Sequence, residues 1–553
     1  MAASAPVSAP PAGSPRCSAD ERRRETVVRI REVTSRRPAW PISSMPAELP
    51  AARDRLRVRL LERIAPDGTL HEPCHSRVLE SALALPLLRR YGSSVAAQRL
   101  ARYLDHRRRY VEPLDRLLAT IVLDDARERD PDLIDRIITE APQFTGTRKR
   151  ATLEAIFTAC GAPPPRGAPL DPAAFSTTGL HRWAEVQVTA VKVILATATR
   201  HRELIGQDDV RLLLATQQRP WVWEADILIH LSVLHALAGM GGMDDVVALG
   251  VAKLAEHQRH DGGFPFVTDV DTWCAATAGI ALASAGASRQ YLMCLAAALA
   301  GKQKPGGGWS FTDRAEQTDV DDTSVALEFL HTLNAPAHQA VIARGLDSLI
   351  SVRGPDGGFP TYIAGTPSEP CMTAAAMNAL SIRPKHYGRV RATGLDYLID
   401  RQRDDGTFDP DWSASRLHTL FRVVLAADRS TKARRMADRA VRHVLETQNA
   451  DGGWGQQTGS PSDAISTAYA LIALCHQDDP EPAATGAGYL IEQQQADGGI
   501  DSFPDSIGPR PFVFRVPLLA DTFSLLAIGH LTTRLEPSAL DVDRRAKETV
   551  FGD

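Results

Sequence analysis

The chain has few aromatic residues, no long apolar run and no excess of positive charge. Phe, Trp and Tyr together make up 6% of its 553 residues. No stretch of about 18 apolar residues occurs, which argues against a membrane-spanning helix. Lys and Arg number 63 against 67 for Asp and Glu, a net charge of -4, so there is no basic field for nucleic acid or anionic lipid. We expect neither nucleic-acid binding nor stable membrane insertion.

Cysteine is scarce as well, with seven scattered residues. An odd and dispersed set is typical of reduced thiols rather than a disulfide framework. Residues 1–18 are rich in Ala, Pro and Ser, and they lack the apolar segment of a secretory signal. They are predicted to be a disordered leader, and we expect a cytoplasmic protein.

What the chain does have is a glycine-rich turn that recurs at a spacing of 45 to 50 residues. Such a period indicates one supersecondary unit repeated. A helix with a charged face precedes each turn, and an Ala-rich helix that is apolar on most faces follows it. An Ala-rich helix of this kind is expected to pack on all sides and to form an inner ring. The pattern therefore predicts an all-α protein in which six hairpins close into an α/α barrel. The turns start at Gln258, Gln303, Arg353, Gln402, Gln448 and Gln494.

The same pattern predicts the domain organisation. The six-hairpin barrel covers residues 246–540. A fainter copy of the unit begins at Pro66, which indicates a second helical domain over residues 53–245. Residues 19–52 contain a candidate helix at 19–36, and residues 541–553 form a tail.

An acidic motif, Asp319-Val320-Asp321-Asp322-Thr323, lies just before one of the inner helices. Carboxylates this close repel one another, and one of them tends to keep a proton. A protonated carboxyl group in a dry pocket can donate a proton to a carbon-carbon double bond. The alternative interpretation is an N-cap with an acidic first turn, which needs no function.

Glycine turns of the form Gln-x-x-Asp-Gly-Gly-Trp/Phe around an Asp-x-Asp-Asp motif resemble the class II terpene cyclases. The resemblance covers about residues 55 to 535. It implies two α/α-barrel domains, a β domain with the motif and a γ domain before it, with the substrate between them. It also implies that the N-terminal helix within residues 19–52 packs on the β domain.

The resemblance further implies that Asp321 is the general acid and that Asp319 and Asp322 hold and tune its proton. Thr323 is expected to lie at the substrate and to support the cluster with a hydroxyl hydrogen bond.

The length and the C-terminal segment are similar to bacterial diterpene cyclases of the copalyl diphosphate synthase kind. This implies cyclisation of geranylgeranyl diphosphate to a bicyclic labdane-type diphosphate that keeps its diphosphate group. The alternative is farnesyl diphosphate, giving a drimane-type product. Mg²⁺ is expected with the diphosphate, and a class I terpene synthase is the partner that such a product suggests.

Further site residues follow from repeat alignment. Asp269-Val270-Asp271-Thr272-Trp273 lies 50 residues before the acidic motif, and Trp273 could stabilise a carbocation through its ring face or simply pack between helices. His418 aligns with Asp322 and is the candidate for the terminating base, although it could equally be a satisfied core histidine. For the diphosphate we considered the arginines of the late inner loops and helices. These are Arg510, which we prefer, with Arg416, Arg422 and Arg515.

Two other classes remain open. The β subunits of protein prenyltransferases share barrel and turns and bind Zn²⁺ through Asp, Cys and His, a site that Glu369, Cys371 and His418 could provide. However, Cys74 occupies the same repeat position as Cys371, and a zinc site leaves the acidic motif unused. A non-enzymatic repeat scaffold is the other hypothesis.

Overall fold

The structure is a computed structural model, and it describes residues 38–126, 130–140, 146–165, 170–427 and 430–535. The predicted leader (1–18), the candidate helix at 19–36 and the tail at 541–553 lie outside these residues. Within the described ranges, no helix combines the length and the apolar character needed to cross a membrane.

The described chain is mainly helical, as predicted. Its strands are two-residue pairs, all antiparallel: β1 (Ser76–Arg77) with β2 (Phe264–Pro265), β3 (Trp454–Gly455) with β4 (Ser462–Asp463), and β5 (Ser506–Ile507) with β6 (Val513–Phe514). The helices are α1 (Leu49–Glu62), α2 (Val78–Tyr91), α3 (Ser94–Arg107), α4 (Pro113–Asp124), α5 (Pro131–Glu140), α6 (Gly146–Cys160), α7 (Arg182–Ala198), α8 (Gln207–Thr216), α9 (Ile227–Met240), α10 (Asp244–Ala255), α11 (Asp271–Ser284), α12 (Arg289–Gly301), α13 (Val320–Thr332), α14 (Gln339–Ser351), α15 (Pro370–Leu380), α16 (Pro384–Arg401), α17 (Leu417–Ala427), α18 (Arg434–Glu446), α19 (Ala464–Leu474), α20 (Glu481–Gln493) and α21 (Leu518–Leu535).

Six apolar helices form the inner ring of the larger domain. In order these are α11, α13, α15, α17, α19 and α21, and each packs on the next, with α21 returning to α11. Helix α19 is buried along its whole length, as expected of a helix surrounded on all sides. The charged-face helices α12, α14, α16, α18 and α20 lie outside. The predicted α/α barrel is confirmed.

The sixth outer helix comes from an unexpected part of the chain. The repeat predicts that α10 covers α11, but α10 packs on α2 and α9 instead. Helix α1 fills the position, in contact with α11, α20 and α21. The predicted boundaries at residues 53 and 246 are therefore corrected: residues 49–62 belong to the larger domain, and residues 244–255 belong to the smaller one.

The smaller domain has its own apolar core. Helices α2, α4, α6, α7 and α9 pack in sequence, and α9 returns to α2. Helices α3, α5, α8 and α10 cover them from outside. The pair of strands β1 and β2 lies where this domain meets the larger one, and a second barrel-like unit thus faces the first.

The glycine turn fixes an outer helix to its inner partner. At Gly307 the backbone has φ +90°, and an added Cβ would lie 2.4 Å from the carbonyl oxygen of Arg344, so only glycine fits. The Gln303 amide donates to the Gly307 and Val341 carbonyls at 2.7 and 2.8 Å. The buried Trp309 indole N–H donates to the carbonyl of Leu299 at 2.9 Å. These contacts explain why the glycine recurs in every unit, and why Gln and the aromatic residue recur in most of them.

Candidate active site

The acidic motif sits at the start of inner helix α13, and its first residue is the N-cap. Oδ1 of Asp319 accepts the backbone N–H of Asp322 at 2.7 Å. Backbone bonds from Asp319 N to Trp309 O (3.1 Å) and from Val320 N to Thr361 O (2.9 Å) hold the approach to the helix. The capping interpretation is therefore correct for Asp319, and it leaves the other two carboxylates to be explained.

Two carboxyl groups of the motif retain protons to unusually high pH. Burial, moderated by hydrogen bonds from Asp322 and assisted by the negative charge of Asp321, raises the pKa of Asp319 to about 7. Burial and the negative charge of Asp319 raise the pKa of Asp322 well above its ordinary value. Among the described residues, Oδ1 of Asp322 has no hydrogen-bond partner. The Asp319–Asp322 pair is thus a buried proton store.

Asp321 lies against a buried cation instead. Its Oδ1 is 2.6 Å from Nη1 of Arg422 on α17, although no donor among the described residues is aligned with it as a hydrogen bond. Burial alone would lower the pKa of Arg422, but the acidic groups around it, Asp321 first and Glu328 among the others, together hold that pKa above its ordinary value. The guanidinium also lies 5.7 Å from the centre of the Trp273 ring. The positive charge of Arg422 is therefore close to both Asp321 and Trp273.

Arg422 is held in place by His418 and Asp411. Nε of Arg422 donates to Nε2 of His418 at 3.2 Å, and Nδ1 of His418 lies 2.9 Å from Oδ2 of Asp411. Burial alone would raise the pKa of Asp411, but its contacts with His418, Thr419 and the backbone N–H of Ser413 hold that pKa well below the usual range. Both ring nitrogens of His418 are engaged. The hypothesis that His418 is the terminating base is corrected, because its lone pair is directed at Arg422.

The hydrogen bonds of His418 also decide whether zinc could bind here. Ligand atoms of Cys371, Asp411 and His418 lie within 4.8 Å of one another. Glu369, the third residue of the proposed zinc site, binds Thr361 and Arg510 instead. His418 has no ring nitrogen left for a metal while it bonds Asp411 and Arg422, so we assign no metal to this cluster.

Thr323 has a structural contact in place of the predicted support of the acid cluster. Its Oγ1 accepts the backbone N–H of Trp309 at 3.0 Å. Thr373 and Thr467 make the same bond to the backbone N–H of Phe359 and Trp454, at 2.9 and 3.0 Å. A hydroxyl at this position is part of the repeat, and the predicted role of Thr323 at the substrate is corrected.

The two domains meet at a group of aromatic rings near the acidic motif. Trp183 of α7 lies 5.3 Å from Tyr362 and 5.5 Å from Phe311, measured between ring centres, and Tyr362 lies 6.0 Å from Trp412. Burial, with the charges of Asp319 and then Glu369, raises the pKa of Tyr362. Tyr362 therefore lies between the acidic motif and the group around Glu369.

Cations from both domains gather beside these rings. The Arg510 guanidinium lies 4.1 Å from the centre of the Trp412 ring and pairs with Glu369. Lys149 on α6 lies near enough that, after burial, the charge of Arg510 is the second cause lowering its pKa. Two cations that repel each other at a domain interface are suited to an anionic group.

Arg416 is not part of this cation group. Burial lowers its pKa, and its charged neighbours are Arg403, Asp411 and Asp409, at the fourth glycine turn. Its binding of the diphosphate stays a prediction. Arg515 pairs with Asp501, and Arg422, which we had also considered for the diphosphate, faces Asp321.

Three contributors were missed by reasoning from the sequence. Lys149 carries no signal, because it lies in an ordinary charged helix. Glu224 accepts the Trp183 indole N–H and the backbone N–H of Glu316, both at 2.8 Å, and so ties the smaller domain to the loop before the acidic motif. Asp411 had only its proximity to His418. For Arg422 there was a signal: it is the one charged residue in the run Leu417–Ala427.

A buried carboxyl pair that keeps its protons, with a third carboxylate facing a fixed cation, suits one kind of chemistry. Inside a helical barrel that opens toward aromatic rings, it can protonate an apolar double bond and tolerate the cation that forms. The fold and site therefore define a cyclase that starts its reaction with an acid.

Comparison with known proteins identifies the family. Residues 367–533 match the squalene-hopene cyclase C-terminal domain. The drimenyl diphosphate synthase of Streptomyces showdoensis is 38% identical over 88% of this chain and 95% of its own, and that of Streptantibioticus cattleyicolor is 37% identical over 86% and 94%. The ent-copalyl diphosphate synthase of Streptomyces platensis shares the fold, with a TM-score of 0.56 and 18% identity over 88% of this chain and 100% of its own. The chain belongs to the class II terpene cyclases.

Family membership confirms the resemblance stated from the motifs and the assignment of the chain as an enzyme. It also replaces the two other hypotheses, the zinc-dependent prenyltransferase and the non-enzymatic scaffold.

Proposed function

We propose that the protein cyclises farnesyl diphosphate to a drimane-type diphosphate, drimenyl diphosphate being the simplest product. The observation that carries this proposal is the similarity to two drimenyl diphosphate synthases across nearly nine-tenths of the chain. It favours the C15 alternative over the C20 substrate that we placed first from the sequence. The similarity to a labda-7,13-dienyl diphosphate synthase extends over only 40% of the chain.

The reaction is an isomerisation in three steps. Asp321 in its protonated form donates a proton to the double bond farthest from the diphosphate, and the remaining double bonds close two rings. The resulting cation then passes a proton to a water molecule and forms a new double bond. The charge of Arg422 is in position to stabilise the carboxylate that Asp321 becomes. Trp273, 5.7 Å from that guanidinium, offers a ring face to the developing carbocation.

The diphosphate remains bound through the reaction. Arg510 and Lys149 are the residues we assign to it, because they bring positive charge from both domains to one place. Both oxygens of Glu369 are engaged, by Thr361 and by Arg510. We therefore expect Mg²⁺ to arrive with the diphosphate oxygens rather than on a protein carboxylate.

The product keeps a diphosphate, so an enzyme that removes or ionises it would follow; a class I terpene synthase is one such partner.

The test is incubation of the protein with farnesyl or geranylgeranyl diphosphate and Mg²⁺, followed by dephosphorylation and mass spectrometry. We expect a bicyclic C15 alcohol. Conversion of the C20 substrate alone, or release of pyrophosphate with a hydrocarbon, would overturn the proposal. Lys149→Gln should raise KM for the substrate. Arg403→Gln, which removes a cation that pairs with Asp409 at the fourth glycine turn, is the matched control that should leave KM unchanged.

A further inference from the structure

Glu328 is a carboxylate inside the larger barrel that the reaction described above does not use. It lies on α13, seven residues after Asp321. Seven residues on a helix bring two side chains to within about 20° of the same face, about 10 Å apart along the axis. Leu327 contacts the position of Gly345 on the outer helix α14, and Glu328 lies about 100° around the helix from Leu327.

The side chain has no polar partner in the part of the chain that the structure describes. Its one recorded hydrogen bond there involves the backbone carbonyl, which accepts from Thr332 at 2.8 Å. Buried carboxylates normally have partners because desolvation of an isolated charge is costly. Glu328 keeps some solvent-accessible surface. It still lies deep enough that burial is the main cause of its raised pKa. Open space beside a deeply placed group indicates room for water.

The proton balance of the cycle requires a donor at this place. Each turnover leaves Asp321 without its proton, and a new proton must reach it. Arg422, the closest group, remains charged, and His418 directs its lone pair at Arg422. The Asp319–Asp322 pair can lend a proton but is itself buried and must be refilled.

Glu328 has the properties of such a carrier. Burial, opposed by the charge of Arg422 and assisted by that of Asp321, raises its pKa to about 7. A group of this kind is protonated in part of the molecules at neutral pH and can both give and accept a proton. Arg422 and Asp321 are also the two charged groups that act on it.

We propose that Glu328 returns the proton to Asp321 between turnovers, through water in the barrel interior. In this step the O–H bond of the Glu328 carboxyl group breaks, an O–H bond forms on Asp321, and the Glu328 carboxylate is then protonated by solvent. Glu328 does not contact the substrate. The inference rests on the proposed function only in needing an acid at Asp321.

The test compares the first turnover with later ones. Glu328→Gln keeps shape and removes the transferable proton. We expect the rate of the first turnover, measured with enzyme in excess, to stay within about twofold of wild type, while steady-state kcat falls at least about tenfold, since positioned proton transfer contributes about 10²- to 10⁴-fold. Substrate in excess should then give a burst of one to about three products per enzyme, because Asp321, Asp319 and Asp322 can each supply one proton before refilling is needed. The KM and the product should not change, and Glu328→Asp should recover part of the rate.

The control is Asp115→Asn, which removes another carboxyl group of raised pKa, about 6, from the smaller domain; it should show no burst. Equal slowing of first and later turnovers, a changed product, or an unchanged kcat in Glu328→Gln would each overturn the proposal. The assay uses whichever prenyl diphosphate the wild type converts. A wild type that rejects farnesyl diphosphate would therefore refute the proposed substrate, and the assignment of Glu328 would still be decided.

Discussion

The inner helices α11 and α13 are neighbours and have almost the same sequence around their first residues. Their carboxylates are nevertheless stabilised in different ways. In the first unit Asp269 accepts hydrogen bonds from the hydroxyls of Thr268 and Thr312. Asp271 accepts the backbone N–H of Glu72 at 2.7 Å and also bonds His71. In the second unit Asp321 faces a guanidinium without an aligned donor, and the Asp319–Asp322 pair keeps protons.

The difference shows how one repeat position acquires chemistry. In the first unit the loop between α1 and α2 supplies neutral donors to Asp271, and two threonine hydroxyls supply them to Asp269. The second unit has a third carboxyl group where the first has Thr272, and the cation comes from across the barrel. A buried carboxylate that has no neutral hydrogen-bond donor can be stabilised in two ways. It can keep a proton, or it can lie next to a fixed positive charge. Acid catalysis needs both.

The largest expected effect is a difference between substitutions of Asp321 and Asp271, which occupy the same position in their repeat units. Asp321→Asn removes the donated proton and should lower substrate consumption by about 10³-fold or more, within or above the usual range for a general acid. Asp271→Asn should stay within about tenfold of wild type, because the amide can still accept the N–H of Glu72. Timed assays of substrate loss measure both. Comparable losses in the two variants would contradict the assignment of the acid to the second unit.

A smaller effect tests the countercharge. Arg422→Gln should lower kcat by about 10²-fold, the loss typical of one electrostatic contact to a developing anion. Asp411→Asn acts on Arg422 only through His418, and its loss should be smaller than that of Arg422→Gln. Thermal unfolding checks that both variants fold. A greater loss in Asp411→Asn would show that the histidine cluster has a role of its own.

The pH dependence of stability should also separate the units. The unfolded-chain pKa of Asp is about 3.9, whereas the pKa of Asp319 is raised to about 7 and that of Asp322 well above its ordinary value. The folded state thus binds more protons than the unfolded chain in this window, and the free energy of unfolding falls as pH rises from about 4 through 7.

In Asp322→Asn the side chain at this position cannot ionise. The free energy of unfolding of this variant should therefore fall less steeply between pH 5 and pH 8 than that of wild type. Urea denaturation at the two pH values measures the slope. Burial and the charge of Asp269 also raise the pKa of Asp271, but its donors limit the cost, so Asp271→Asn should change the slope less. An equal change in both variants would be evidence against a proton store that is special to the second unit.

Much of this architecture could be predicted from the sequence because its signals are local. The glycine turns and the apolar inner helices are periodic, and the three carboxyl residues adjoin one another in the chain. The exchange of α10 for α1 could not be predicted, because it depends on how a ring closes rather than on a helix's own residues. The role of His418 depends on Asp411 and Arg422, and the side on which a histidine places its lone pair is set by such tertiary partners.

The smallest effect concerns the residue that aligns with Trp273, namely Thr323. Its hydroxyl accepts the N–H of Trp309, and Thr323→Val would leave that buried donor without a partner, at a cost of about 1 to 3 kcal/mol in the free energy of unfolding. Thr373→Val, which removes the same bond to Phe359 in the next unit, should cost about as much. Urea denaturation measures both, and kcat should be unchanged in each. A loss of kcat in Thr323→Val alone, without a loss of stability, would instead support the role at the substrate that the motif first suggested.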